Sequence, residues 1–144
     1  MTTDRPEKIS IVVFTGEFDK IHYALVMASA AAAIDIPATL FFTMGASRTL
    51  LANPSWRCLP AGEIGQKNET AAEVDDGFKK RTVGDFEDLL KACANLGVKF
   101  MVCEMGLRAL DLEGTPLRED IPITTGGIVT LLSEVKARGQ IVFV

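Results

Sequence analysis

Val98-Lys99-Phe100-Met101-Val102-Cys103-Glu104-Met105-Gly106 is the stretch on which the fold turns. Val98 to Val102 is an apolar run broken only by Lys99, and its length and β-branched members read as a strand. Met105 to Leu110 reads as a short helix, so Cys103 stands at the corner between strand and helix. A strand this apolar on both faces belongs in a parallel sheet covered by helices. Open parallel sheets bind their ligands beyond the carboxyl ends of the strands, which is where this thiol falls. The N–H groups of a helix start favour negative charge and can lower a thiol pKa. Glu104, adjacent in the chain, acts in the opposite sense if its carboxylate is near. The same cysteine turned into the sheet would be inert packing.

The pattern extends in both directions. Lys8 to Phe14 reads as a first strand, Phe18 to Ala33 as an Ala-rich helix ended by Asp35 and Pro37, and Ala38 to Thr43 as a second strand. A short helix is expected at Ala46 to Leu51. From Ala52 to Gly84 there is no sustained period, and Asn53-Pro54, Leu59-Pro60-Ala61-Gly62 and Asp76-Gly77 break the chain repeatedly. So long an irregular stretch is either a lid or interaction loop, or a meander covering an edge. Helical spacing resumes with Phe86, Leu89, Leu90, Cys93 and Leu96, closed by Gly97. Beyond the thiol, Ile121 to Ile123 is a brief extended segment, Ile128 to Arg138 an amphipathic helix, and Gln140 to Val144 a last strand. This alternation predicts a single α/β domain over residues 1–144, with a mostly parallel sheet of about five strands and flavodoxin-like helical layers on both faces.

The chain has 144 residues, 48% of them apolar, with 15 basic against 19 acidic side chains. That suits one globular core and, lacking a basic tract, argues against a nucleic-acid partner. Asp35 and Pro37 divide the most hydrophobic stretch, leaving no run of the ~20 apolar residues that a membrane span requires. The polar start of the chain has no signal-peptide h-region, so the cytoplasm is the expected location. Three cysteines without a CxxC suggest neither a disulfide scaffold nor a thioredoxin-type dithiol, and the zinc spacings are absent. No metal or cofactor is expected.

Four loops should gather at the strand ends: Thr15-Gly16-Glu17, Thr43-Met44-Gly45-Ala46, Cys103-Glu104-Met105-Gly106 and Thr124-Thr125-Gly126-Gly127. Each offers backbone donors suited to an anion, although Thr and Gly are also ordinary residues at a helix start. The expected pocket therefore includes Gly16, Gly45, Met105, Gly106, Thr125 and Gly126. His22, the one histidine, lies near the first loop as either a packed helical residue or a general acid/base. Arg48 either holds an anionic sulfur species or solvates its helix. Cys93 is expected in the core, and Cys58 is either an accessory relay thiol or an incidental loop residue.

Phe41-Phe42-Thr43-Met44-Gly45 after an Ala-rich helix, Gly97 through Met105, and Gly126-Gly127 resemble the DsrE/DsrF-like family over roughly residues 8–144. The resemblance implies a parallel-sheet fold, homo-oligomers (commonly trimers or hexamers) and sulfur-relay work. It implies that Cys103 accepts a persulfide sulfur from a donor protein and passes it to an acceptor protein without a cofactor. Two other readings compete. One is a non-catalytic oligomeric module that binds a nucleotide or small anion at the strand ends, drawing on Thr124 to Gly127 but lacking a GxGxxG or P-loop. The other is a structural subunit with a vestigial thiol.

Overall fold

A computed structural model describes residues 4–144. Strands β1 (Ile9–Val13), β2 (Ala38–Phe42), β3 (Lys99–Cys103), β4 (Ile123–Gly126) and β5 (Gln140–Phe143) form one all-parallel sheet in the order β4-β3-β2-β1-β5. The helices are α1 (Phe18–Ala33), α2 (Ala71–Lys80), α3 (Phe86–Asn95), α4 (Glu104–Ala109) and α5 (Ile128–Ser133).

Strand order dictates how the two faces are covered. The steps from β1 to β2, β3 and β4 all run the same way, so right-handed crossovers place α1, α2 and α3 on one face. The last connection runs back across the sheet to β5, and the same rule puts α5 on the other face. Alternation along the strands agrees: Ile11, Val13, Leu40, Phe42, Phe100 and Val102 join the main core, whereas Val12, Phe41, Met101 and Cys103 join a small second core with Leu131 of α5. Helices do lie on both faces, but among the described residues the second face has a single six-residue helix. Phe14, Ile141 and Phe143 remain exposed beside it.

Three elements differ from the expected pattern. The segment 52–84 contains a 3₁₀ turn at Ser55–Cys58 and the ten-residue α2. Thr70 and Glu73 form a full capping box at the start of α2, and Ala71 and Val74 supply its buried stripe. The Thr-x-x-Glu spacing was the legible signal, hidden by the density of charged residues around it. Second, α5 stops at Ser133 rather than Arg138. Glu134 follows it, with its carbonyl taken by Lys8 Nζ at 3.3 Å and its carboxylate by Lys99 Nζ at 2.7 Å. Third, Thr124, Thr125 and Gly126 belong to β4 itself, paired with Met101, Val102 and Cys103, rather than to a loop.

The link between α2 and α3 is built from a buried carboxylate. Asp75, 1% exposed, accepts the Phe86 N–H at 2.8 Å and so satisfies an N-terminal donor of α3 from the neighbouring helix. Burial raises its pKa above the ordinary carboxylate range. His22 Nε2 meets the Gly84 carbonyl at 2.6 Å, and since a carbonyl only accepts, Nε2 carries the proton.

Candidate functional site

Cys103 is both the last residue of β3 and the residue preceding the first turn of α4, with extended backbone angles (φ −79°, ψ 121°). Pleating sends Phe100 and Val102 into the main core, so Met101 and Cys103 point to the second face. There Cys103 is 3% exposed and packs in one cluster with Val12, Phe41, Met101 and Leu131. Its side chain makes no capping hydrogen bond to α4, so the N–H groups near Met105 and Gly106 do not hold the sulfur in this state.

The loops around it converge because their glycines let backbones touch. A Cβ on Gly45 would lie 2.9 Å from Gly16 N, which packs the first two loops directly against each other. A Cβ on Gly106 would lie 2.7 Å from Met44 N and 2.8 Å from Thr43 Oγ1, so α4 is seated on the loop after β2. Gly126 pairs with Cys103 across the ladder, and its missing side chain leaves room for Met101 Sδ. Gly16, Gly45, Gly106 and Gly126 are thus gathered at the carboxyl edge of the sheet with Cys103. Met105 is there too, with its side chain 59% exposed.

The remaining expected residues differ in burial and in their neighbours. His22 is buried among aromatic rings on the α1 side, 4.6 Å from the Phe78 ring and 5.7 Å from that of Phe18. Arg48 is half-buried in the 3₁₀ turn Met44–Leu50, and its carbonyl accepts the Ser55 hydroxyl at 3.4 Å. Thr125 is exposed on β4, the sheet's edge strand. Cys58 is exposed and lines a groove of about 380 Å³ with Pro60, Gln66, Asn68 and Glu17, the residue after Gly16. Cys93 is fully buried in the main core, donates to the Leu25 carbonyl at 3.4 Å, and has its pKa pushed up to about 11 by burial. At neutral pH it is a silent thiol.

Sequence reasoning missed the residues that surround Cys103 from the second face. Leu131 belongs to an amphipathic pattern, but nothing in the pattern says which sheet face it covers. A polar cluster was missed as well. Trp56 Nε1 donates to Glu87 Oε2 at 3.0 Å, and Arg118 spans Glu87 (2.6 Å) and Asp120 (2.8 Å) beside a groove of about 500 Å³. Hydrogen bonding to Arg118 holds the Asp120 carboxyl below its ordinary range. Because the guanidinium is already matched by two carboxylates, this cluster reads as a brace between the Trp56 turn, α3 and the 117–120 loop. Among the described residues, no three His, Cys, Asp or Glu side chains are grouped to hold a metal, and no helix is long and apolar enough to cross a membrane.

Comparison with known proteins gives the site a context. The DsrE/DsrF-like family matches residues 7–142. An uncharacterized protein of Bacillus subtilis (strain 168), YrkE, is 26% identical over 138 residues, covering 83% of this chain and 86% of that protein. Among solved structures, the crystal structure of the YchN protein from E. coli superposes with a TM-score of 0.53 at 13% identity, over 96% of this chain and 99% of that one. At that identity the likeness speaks for the fold alone.

Proposed function

The chain belongs to the DsrE/DsrF-like family, and on that premise we propose that it is a sulfur carrier that accepts a persulfide sulfur on Cys103 and passes it to a partner protein. The observation that carries the reading is the position of Cys103: a single thiol closing β3 at the sheet edge where the glycine loops meet. Cys93 is held in the main core, and Cys58 lies off the sheet, in a groove it shares with Glu17 and the 59–62 segment.

The chemistry needs one thiolate in this chain. Cys103 S⁻ attacks the outer, sulfane sulfur of a donor protein's persulfide. A new S–S bond forms on Cys103, the donor's S–S bond breaks, and the donor cysteine leaves as a thiolate. The acceptor thiolate repeats the exchange in the second half, attacking the outer sulfur on Cys103. No electrons are gained or lost overall, so the transfer calls for neither oxidant nor cofactor. We assign it to the cytoplasm, where free thiols stay reduced.

The same premise extends to a homo-oligomer, trimer or hexamer, which would draw on the uncovered Phe14, Ile141 and Phe143 of the second face. The rings of Phe14 and Phe143 already touch, with centroids 5.4 Å apart, so the patch is continuous. Light scattering reads the assembly directly, and a monomer at working concentration would remove this part of the reading.

The carrier role is tested by incubating the wild type and Cys103→Ser with a sulfane-sulfur donor and weighing the intact protein. The wild type is expected to gain the mass of one sulfur atom and the serine variant none. Equal gain by both would overturn the assignment. Thermal shift with nucleotides, in a protein that takes up no sulfur, would favour the anion-binding module instead.

A further inference from the structure

A sulfur carrier must bring its sulfur to another protein, yet Cys103 is 3% exposed. On the second face, the helix that shares its buried cluster is α5, a helix of six residues. Of these only Leu131 is buried, and it is the α5 member of the cluster that contains Cys103. Ile128, Val129 and Leu132 are exposed at 45%, 77% and 53%, so the outer side of α5 is left open among the described residues. Past the helix, the next hold is Glu134, which Lys99 grips at 2.7 and 3.1 Å and whose carbonyl Lys8 takes at 3.3 Å. Both side chains of the Lys99–Glu134 pair are partly in solvent. Gly127 precedes the helix and Gly139 follows the 134–138 turn, so each end of the segment has a glycine to absorb a backbone rotation.

We infer that α5 is a lid over Cys103, held shut by the Leu131 side chain on the second core and by the Lys99–Glu134 latch, and that the thiol reacts only when the lid lifts. The inference deepens the carrier reading and rests on it for its purpose, though not for its test. Opening requires one leucine to leave the cluster, one half-exposed ion pair to part and the Lys8 bond to the Glu134 carbonyl to break. Those contacts favour the closed state by roughly ten- to a thousandfold, which permits brief opening. The main core is not disturbed, because Leu131 belongs to the other face. Such an arrangement keeps the sulfur out of water between donor and acceptor and ties its release to the state of one short helix.

The test is the rate of alkylation at each cysteine, measured by quenching with time and mapping peptides from the native full-length chain. Three thiols in three environments make the experiment self-controlling. Cys58 is exposed and should react at one rate in every variant. Cys93 is in the main core and should stay silent unless the protein unfolds globally. Leu131→Ala is expected to speed Cys103 at least roughly tenfold, since the seat that closes the lid is emptied. Glu134→Gln removes only the latch on the surface and should speed it roughly two- to fivefold. Neither variant should change Cys93.

Cys103 rates equal to wild type in both variants would overturn the lid, as would Cys103 and Cys93 rising together. Failure of the carrier reading looks different. There, the variants would expose Cys103 to the alkylating agent, while no form of the protein gained sulfur from a donor.

Discussion

Trp56→Ala is expected to lower the stability of the fold by about 3–5 kcal/mol, the range for truncating a buried tryptophan. The side chain is 2% exposed and lies against two other rings. Phe18 stacks on it at 5.6 Å with an interplanar angle of 17°, and Phe86 sits at 4.5 Å. An alanine there leaves a void walled by aromatic groups on α1 and α3, which cannot close without moving both helices. The lost hydrogen bond to Glu87 matters less than the void, because Arg118 keeps both carboxylate oxygens of Glu87 occupied. Urea unfolding with unchanged slope is the measurement. Trp56→Phe retains a ring in the cluster and should cost about half as much. A loss below about 1 kcal/mol for the alanine variant would mean that the Ser55–Cys58 turn is not anchored as described.

Gly106→Ala carries the second large effect, and its sign is the informative part. In an exposed helix, alanine in place of glycine stabilises by about 1 kcal/mol. Here the added Cβ would stand 2.7 Å from Met44 N and 2.8 Å from Thr43 Oγ1. The nearer atom is backbone, within a loop whose Gly45 is itself in contact with Gly16, so it cannot yield cheaply. Steric cost wins, and a net destabilisation of about 2–3 kcal/mol is expected. Because Gly106 lies three residues from Cys103, the variant should also displace the start of α4 and change the alkylation rate of that thiol. Gly127→Ala is the matched control: a Cβ there meets nothing within 4 Å, and its stability should stay within about 0.5 kcal/mol of wild type. A stabilised Gly106→Ala protein would contradict the close seating of α4 on the loop after β2.

The sheet was legible because its strands are short, apolar and separated by helical periods. Ile9–Val13, Ala38–Phe42 and Lys99–Cys103 all fall within a residue of where period and turn residues put them. The hidden parts are those whose burial depends on distant chain. Trp56 lies in a stretch with no period of its own, and becomes core only because Phe18 and Phe86 arrive from α1 and α3. The α2 helix advertises itself by its capping box, not by hydrophobic rhythm. His22 has the spacing of an inner-face residue on α1, but its ring partner Phe78 comes from the segment that resisted reading.

Cys103 shows the same division. Its place at the strand end can be read from nine consecutive residues. Its burial cannot, because that follows from the return of the chain from β4 to β5, which carries α5 over the second face. Strand order is a property of the whole fold, and no local pattern encodes it. The thiol is therefore both at the expected corner and covered. Under the proposed gating its reactivity would depend on Leu131 and Glu134, whereas that of an exposed nucleophile would not.

The most direct measurement is to load the wild-type protein with one equivalent of sulfane sulfur from a donor, trap the persulfides, and map the labelled peptides. The account predicts the label on the peptide containing Cys103, with Cys93 unlabelled. A label confined to Cys58, or no label on any cysteine, would contradict it.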